Sequence, residues 1–271
     1  MKRALELFWH RTLGRPYRLQ RTVDQGRGAP VVLLHGVGSF GGVWKGVAER
    51  LSGKYRVVAF DLLGFGVSPK PDWPEYSVDD HARAVIAAIQ RLRLRQPVVL
   101  VGHSMGCLVA LRVARLRPRL VRHLILYEMP MYEGLPASRR YQIRRDLYYK
   151  LYQYIIHSPN LAPSDERSLR RAVARMAGLD VSKEMWAPFI KSLEHTIMRQ
   201  APLEDIAQLH TPIDIIYGSL DMLVIRGKPQ KVFGENAQRI QTHTIAEGHT
   251  ISRRASRFIA QRVEAAVKRE A

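Results

Sequence analysis

Short continuous runs of apolar residues alternate along the chain with longer segments in which apolar side chains recur at helical spacing. Continuous runs are typical of strands buried on both faces, whereas helical spacing is typical of helices with one buried side. Strands are predicted at residues 17–23, 31–34, 55–60, 98–101, 122–127, 213–217 and 240–246. Because helical segments separate most of these runs, the pattern predicts an α/β fold with a mostly parallel, doubly wound sheet covered by helices on both faces.

The pattern changes between Pro130 and Pro202, where no strand-like run occurs and helical segments rich in Arg, Tyr and Leu follow one another. This change predicts a helical cap at residues 131–200, inserted before the last two strands into a core formed by residues 1–130 and 201–271. Three amphipathic helices are predicted in the cap, from Tyr148, Leu151, Tyr152 and Ile155, from Leu169, Val173 and Met176, and from Trp186, Phe189, Ile190 and Leu193.

The predicted cap follows the carboxyl end of a strand, which is the edge where open parallel sheets bind ligands. It carries more aromatic residues than a purely polar cap would need. We therefore expect Tyr152, Trp186 and Phe189 to contact an apolar small-molecule substrate.

The charge balance is the unusual feature of the composition, because 43 Lys and Arg face only 24 Asp and Glu, for a formal net charge of +19. The arginines are scattered along the whole chain, and no nucleic-acid-binding motif is present. A basic, solvated surface without a nucleic-acid partner is therefore expected. Residues 2–13 leave one alternative open, since Leu5, Phe8, Trp9 and Leu13 could share a helical face that contacts a membrane surface peripherally.

The cysteine content and the lengths of the apolar segments indicate the cellular compartment of the protein. The single cysteine, Cys107, cannot form an internal disulfide, and its place in a predicted buried helix suits a small apolar side chain. Glu6 and His10 interrupt the apolar run near the start, so no secretory signal is predicted, and no stretch is apolar enough to span a bilayer. These features predict a cytoplasmic protein.

The segment Gly102-His103-Ser104-Met105-Gly106 joins a predicted buried strand directly to a predicted helix. Small residues on both sides of Ser104 allow the sharp strand-to-helix turn that exposes a serine hydroxyl as a nucleophile. A serine hydroxyl is a weak nucleophile without a base and an acid that orients the base. Asp221 and His249 each follow a later predicted strand and suit these roles, and Glu128, after residues 122–127, is an alternative acid.

Two loops after the early strands carry further candidates. The glycine-rich loop His35-Gly36-Val37-Gly38 could bring a backbone N–H group close to a ligand carbonyl. Asp61 begins the second loop, and we expect its carboxylate to bind turn amides instead of substrate.

The motifs together resemble the α/β-hydrolase fold family over nearly the full length of the chain. They are HGVG at 35–38, DLLGFGVS at 61–68, GHSMG at 102–106, GSLD at 218–221 and GH at 248–249. The resemblance implies that Ser104 attacks a carbonyl, that His249 transfers the proton, and that Asp221 holds the imidazole. It also implies an oxyanion hole formed by the backbone N–H groups of Val37 and Met105, with no metal or organic cofactor.

Particular residues separate the branches of this family. Ser104 departs from the haloalkane dehalogenase and epoxide hydrolase branches, which use an aspartate as nucleophile. The branch that hydrolyses carbon–carbon bonds of dienoate ring-fission products usually has Asn before the serine and Trp after the histidine, where this chain has His103 and Thr250. The expected activity is hydrolysis of carboxylic esters, including lactones, of small to medium apolar substrates. A carbon–carbon bond hydrolase and a receptor-like binding protein that retains the triad stay open as alternatives.

Overall fold

The computed structural model describes residues 2–132, 139–157, 181–224 and 233–268. The strands are β1 (Arg21–Gln25), β2 (Pro30–Leu34), β3 (Arg56–Phe60), β4 (Val98–His103), β5 (Val121–Tyr127), β6 (Ile213–Gly218) and β7 (Ile240–Ile245). The α-helices are α1 (Lys2–Leu7), α2 (Lys45–Leu51), α3 (Val78–Arg91), α4 (Met105–Leu116), α5 (Arg139–His157), α6 (Trp186–Ser192), α7 (Pro202–Ala207) and α8 (Arg253–Lys268). Short π-helical turns extend α1 (Phe8–Thr12) and α6 (Leu193–Ile197), and 3-10 turns occur at Gly41–Trp44, Pro118–Leu120 and Gly234–Arg239.

The strands form one seven-stranded sheet in the order β1-β3-β2-β4-β5-β6-β7. β1 pairs antiparallel with β3, and every other pairing is parallel. The predicted fold class, a mostly parallel α/β sheet with a helical insertion before the last two strands, is confirmed. Parallel strands place their carboxyl ends at one edge of the sheet, so the segments that follow β2, β4, β5, β6 and β7 meet there.

The first strand differs from its prediction at residues 17–23, because pairing with β3 begins only at Arg21. Tyr17 and Leu19 are buried, but they are extended without being paired to the sheet. The apolar alternation in this segment therefore reports burial against the core and not strand pairing.

The core has two layers, one on each face of the sheet. Alternate residues of β2 show the division, since Val32 and Leu34 pack with α3 and α4, whereas Val31 and Leu33 pack with α2 and α8. This burial on both faces explains why β2 and the first four residues of β4 are continuous apolar runs. The central strands are thereby held rigidly, which fixes the edge where their carboxyl ends meet.

The loop after β3 is organised by Asp61, as the sequence predicted. One carboxylate oxygen accepts hydrogen bonds from the Gly41 N–H group and the Thr22 hydroxyl, both at 2.7 Å. The other accepts from the Val67 N–H group at 2.8 Å. These bonds satisfy loop amides that would otherwise be buried without partners.

The described part of the cap lies between β5 and β6, within the predicted insertion. Helix α6 is attached to the core by the Ser192 hydroxyl, 3.2 Å from Nε2 of His81, and by Lys191, which donates to the carbonyls of Asp72 and Pro74. In α5, Leu151 is exposed and therefore does not share the buried face predicted for it. The predicted helix of Leu169, Val173 and Met176 lies outside the described residues.

The chain returns to the core through α7, which is bound to α4 by ion pairs. The buried carboxylate of Asp205 lies 3.1 Å from Nε of Arg112 and 2.8 Å from Nη1 of Arg115. Some of the arginines therefore form ion pairs between helices and are not simply solvated. In the part of the chain that the structure describes, no helix combines the length and apolar character needed to cross a membrane.

Candidate active site

Ser104 lies at a strained turn between β4 and α4, with φ 52° and ψ −122°. Such a conformation costs about 1–3 kcal/mol and persists only where the surroundings fix it. The Ser104 N–H group donates to the Tyr127 carbonyl at 3.0 Å, and a Cβ atom at Gly102 would lie 2.5 Å from the Gly106 carbonyl oxygen. A Cβ atom at Gly106 would in turn collide with the Leu34 carbonyl. Glycine is therefore required on both sides of the serine, as the motif predicted.

Asp221 and His249 are hydrogen-bonded at 2.7 Å between Oδ2 and Nδ1. The other carboxylate oxygen of Asp221 accepts from the Leu223 N–H group at 2.6 Å. Burial raises the pKa of Asp221, but the side-chain hydrogen bonds with His249 and Glu128 outweigh it and lower the pKa to about 2. An ionised carboxylate can only accept, so the neutral His249 ring carries its proton on Nδ1. Its Nε2 atom is left as the acceptor that a general base needs.

Two side chains for which the sequence predicted no catalytic role hold the His249 loop. Nε2 of His103, the residue before Ser104, donates to the His249 carbonyl at 2.8 Å. The Tyr127 hydroxyl at the end of β5 lies 2.9 Å from the Gly248 carbonyl oxygen and 3.2 Å from that of Thr250. The histidine loop is therefore tied to the serine turn. The only sequence signal for either contact is the position of each residue at the end of a strand.

Glu128 follows β5 with φ 52° and is fully buried, and one of its carboxylate oxygens accepts from the Gly218 N–H group. Glu128, Asp221 and His249 each place one donor atom within 4.8 Å of the others, the one such group of metal-binding side chains among the described residues. The Nδ1 atom of His249 is already bonded to Asp221, which is the arrangement of an acid–base pair. The structure thus pairs the histidine with Asp221, and Glu128 is hydrogen-bonded to that carboxylate.

The loop that carries Val37 lies directly against the serine. A Cβ atom on Gly36 would be 3.0 Å from Cβ of Ser104, so the bare backbone allows the loop to approach. His35 fixes the loop, since Nδ1 lies 2.7 Å from the Gly36 carbonyl and Nε2 accepts from the Leu62 N–H group at 2.9 Å. On the other side of Ser104, Met105 is the first residue of α4, and the first N–H groups of a helix have no partner within it. Both predicted oxyanion donors therefore belong to segments that flank the serine, and their role stays a prediction.

The cap reaches the acid loop through tyrosines. The Tyr132 hydroxyl donates to the Leu223 carbonyl at 2.9 Å and lies 3.0 Å from the Tyr152 hydroxyl. Tyr152 is therefore joined through one side chain to the loop that contains Asp221. Trp186 and Phe189 contact each other with ring centroids 5.6 Å apart, and Phe189 is buried. Substrate contact by Tyr152, Trp186 and Phe189 stays a prediction.

The sheet is mostly parallel, Ser104 lies at a strained turn between a strand and a helix, and an acid–histidine pair follows strands at the same edge. This combination is the framework of an α/β-type hydrolase. The family model described as alpha/beta hydrolase fold matches residues 29–228. The chain belongs to the α/β hydrolase fold family.

Individual relatives differ in the bond they cleave. A pimeloyl-[acyl-carrier protein] methyl ester esterase from Methylococcus capsulatus is 43% identical over 102 residues, which cover 37% of this chain and 37% of that protein. The match therefore spans little more than a third of that relative. A 2-hydroxymuconate semialdehyde hydrolase from Pseudomonas sp. is 29% identical over 222 residues, covering 74% of this chain and 73% of the relative. Among solved structures, a Bacillus megaterium epoxide hydrolase shares the fold with a TM-score of 0.70 and 22% identity, covering 92% of this chain and 96% of its own.

Three buried histidines predict that the fold is sensitive to mild acid. Burial lowers the pKa of His35 to about 4 and of His81 to about 3, and burial together with His249 lowers that of His103 to about 3. In the unfolded chain the same rings bind protons near pH 6.5. Each ring should therefore remove about 1.4 kcal/mol of stability per pH unit below about pH 6.5, until its folded-state pKa is reached.

Urea unfolding measured at successive pH values from about pH 8 to about pH 5 tests this expectation. Asp221 cannot produce the effect, because a carboxyl with a lowered pKa loses its contribution only below its ordinary pKa. His81→Gln should flatten the pH profile, whereas His210→Gln, at an exposed position, should leave it unchanged. A free energy of unfolding that stays constant across this range would contradict the prediction.

Proposed function

We propose that the protein is a serine hydrolase that cleaves carboxylic esters, lactones included, of small to medium apolar substrates. The observation that supports this best is the Asp221–His249 hydrogen bond, held beside Ser104 through His103. This bond occupies Nδ1 of His249 and leaves Nε2 as the acceptor for the hydroxyl proton, and His103 ties the histidine loop to the strained turn that carries Ser104. The esterase relative supports the choice of ester as the cleaved group.

The reaction proceeds through an acyl-enzyme. The Ser104 oxygen attacks the ester carbonyl carbon while Nε2 of His249 takes the hydroxyl proton, and the carbonyl electron pair moves onto oxygen. The backbone N–H groups of Val37 and Met105 bind this oxyanion, and each such donor contributes about 3 kcal/mol to transition-state stabilisation. The tetrahedral intermediate then expels the alcohol oxygen, which takes the proton from His249.

Water completes the cycle by the same steps. His249 removes a proton from water as the water oxygen attacks the acyl carbon. The bond between that carbon and the Ser104 oxygen then breaks, the acid is released, and His249 returns the proton to Ser104. Throughout, Asp221 stays ionised and stabilises the imidazolium, because its pKa of about 2 keeps it charged at neutral pH. These steps need no metal or organic cofactor.

Substrate length is the property that the cap should control. If Tyr152, Trp186 and Phe189 line an acyl pocket, each methylene buried there contributes about 0.8 kcal/mol, so kcat/KM should rise about fourfold per methylene until the pocket is full. A series of p-nitrophenyl esters from acetyl upward measures this. We expect Trp186→Ala to lower kcat/KM for the mid-length esters more than for the acetate. A profile that falls steadily from acetate would contradict an apolar acyl pocket.

Carbon–carbon bond hydrolysis is the second candidate, and the semialdehyde hydrolase relative favours it. Such substrates carry a carboxylate, and Arg144 of the cap is placed near the acid loop, with Nη2 3.3 Å from the Met222 carbonyl oxygen. Neutral esters and their ω-carboxylate analogues, compared at low and high salt, separate the two functions. A strong preference for the carboxylates, sensitive to salt and lost in Arg144→Gln but kept in Arg145→Gln, would favour the second candidate. We expect neutral esters to be preferred and little affected by salt.

A further inference from the structure

The helical segment at residues 4–13 exposes a group of large apolar side chains. Leu5 is 61% exposed, Phe8 52%, Trp9 48% and Leu13 48%. Isolated exposed apolar residues are ordinary on protein surfaces, but a contiguous group is typical of a site that binds a membrane or another molecule. We call these residues the apolar segment.

Polar side chains attach this segment to the body of the protein. The Tyr17 hydroxyl donates to Oε1 of Glu6 at 3.0 Å, and the ring of His10 stacks on that of Tyr17 with centroids 3.7 Å apart. Trp73 in turn donates to the Tyr17 hydroxyl at 3.0 Å. The contacts to the core are thus made by Glu6 and His10, and the apolar side chains are left facing solvent.

A basic cleft adjoins the apolar segment. It has a volume of about 130 Å³ and combines arginines with apolar side chains; its lining residues are Arg18, Leu19, Arg21, Arg56, Phe60, Ala88, Arg91 and Leu92. Arg91 also donates to the carbonyls of Pro16 and Tyr17, which joins the cleft to the segment that Tyr17 anchors. Asp24 pairs with Arg21 and Arg56 and offsets part of the charge. Arg18 is exposed at the rim of the cleft, and Arg15 stacks over the Trp9 ring at 4.7 Å.

We propose that the apolar segment and the arginine-lined cleft dock the protein onto the surface of an anionic phospholipid membrane. Phe8, Trp9 and their neighbours enter the boundary between headgroups and acyl chains, and the cleft arginines bind lipid phosphates. Burial of apolar area and attraction to anionic lipid are the two contributions that hold helices in the membrane interface. Both occur here and are connected through Tyr17, which contacts Arg91 of the cleft and Glu6 and His10 of the helical segment, and the net charge of +19 adds attraction at longer range.

Charge and chemistry favour a lipid surface over other occupants. A second copy of the chain would bring the same charge of +19 to the interface and would be repelled. A nucleic acid would match the arginines, but it offers no continuous apolar phase to the segment. An anionic bilayer supplies both. The loop that includes Trp73 also binds Lys191 of α6 through Asp72 and Pro74, so the docked face adjoins the cap.

Sedimentation of the full chain with vesicles tests the proposal. One set of vesicles is phosphatidylcholine alone, and in the other about a third of the lipid is phosphatidylglycerol. We expect binding to the anionic vesicles that weakens with added salt, and little binding to neutral vesicles. Trp9 should then shift its emission to the blue on binding, and Trp9→Phe should remove that shift while keeping most of the affinity.

Two variants separate specific docking from nonspecific attraction. Phe8→Ser combined with Trp9→Ser, and separately Arg18→Glu, should each weaken vesicle binding about tenfold or more. The matched control is the charge reversal Arg257→Glu. Arg257 is exposed on α8, and α8 packs on the opposite face of the sheet from α3. This control substitution should weaken vesicle binding much less. Equal weakening by Arg18→Glu and Arg257→Glu, wild-type binding by the Ser variant, or no binding by the wild type would each overturn the proposal. Ester hydrolysis in solution should be unchanged in all these variants, so the two proposals can fail independently.

Discussion

Replacing Ser104 with alanine should lower kcat on any accepted ester by a factor on the order of 10⁶. Ser104 is the only residue in the proposed mechanism whose side chain bonds to the acyl carbon, so no other residue can replace its step. Alanine tolerates the φ of 52° about as well as serine does, so the fold should be retained. The measurement is kcat for a p-nitrophenyl ester, with thermal unfolding to verify that the variant is folded.

Two controls make this prediction specific. Ser219→Ala, at an exposed position after β6, should keep wild-type turnover. A fluorophosphonate probe should label the wild type but not Ser104→Ala, which tests the nucleophile without knowledge of the substrate. Turnover at a tenth of the wild-type rate in Ser104→Ala would rule out the serine mechanism. Absence of both turnover and labelling in the wild type would rule out the proposed activity itself.

Asp221→Asn should lower kcat by a factor on the order of 10⁴, and Glu128→Gln should not. Asp221 contacts His249 directly, and an asparagine amide can donate a proton to Nδ1, which favours the tautomer that has lost its acceptor at Nε2. Glu128 is hydrogen-bonded to Asp221, which in turn holds His249, and glutamine retains an oxygen for the Gly218 N–H group. The comparison is made near neutral pH, where Asp221 is ionised.

The paired variants also decide the assignment of the acid. If Glu128→Gln cost more than Asp221→Asn, the acid would have to be Glu128, and the hydrogen bond between Asp221 and His249 would not be the functional one. Equal losses in both variants would show that the two carboxyl groups act as a unit. The isosteric replacements keep each side chain's volume, and unfolding measurements identify any variant that has lost its packing.

The central strands could be predicted because their continuous apolar sequences match their burial on both faces of the sheet. β4 is buried on both faces, so residues 98–101 are all apolar, and the glycines on either side of Ser104 indicate a turn that no larger residue fits. The first strand was predicted four residues too early, from 17 instead of Arg21, because burial and pairing impose the same apolar pattern. Only contact with β3 decides where pairing begins. The same limit applies to Leu151, whose helical spacing does not reveal which side of α5 the core covers.

The sequence by itself determined which residues could take part in the chemistry, because each of them follows a strand and parallel strands end at one edge. It left Asp221 and Glu128 as rival acids, since both follow neighbouring strands of the sheet. Only the tertiary structure brings the Asp221 carboxylate into a hydrogen bond with His249, because such a bond depends on positions that packing sets within a few tenths of an ångström. It also supplied the contacts of His103 and Tyr127 with the His249 loop, which join residues 146 and 121 positions apart. Local sequence carries no record of such pairings, and only the folded chain brings them within bonding distance.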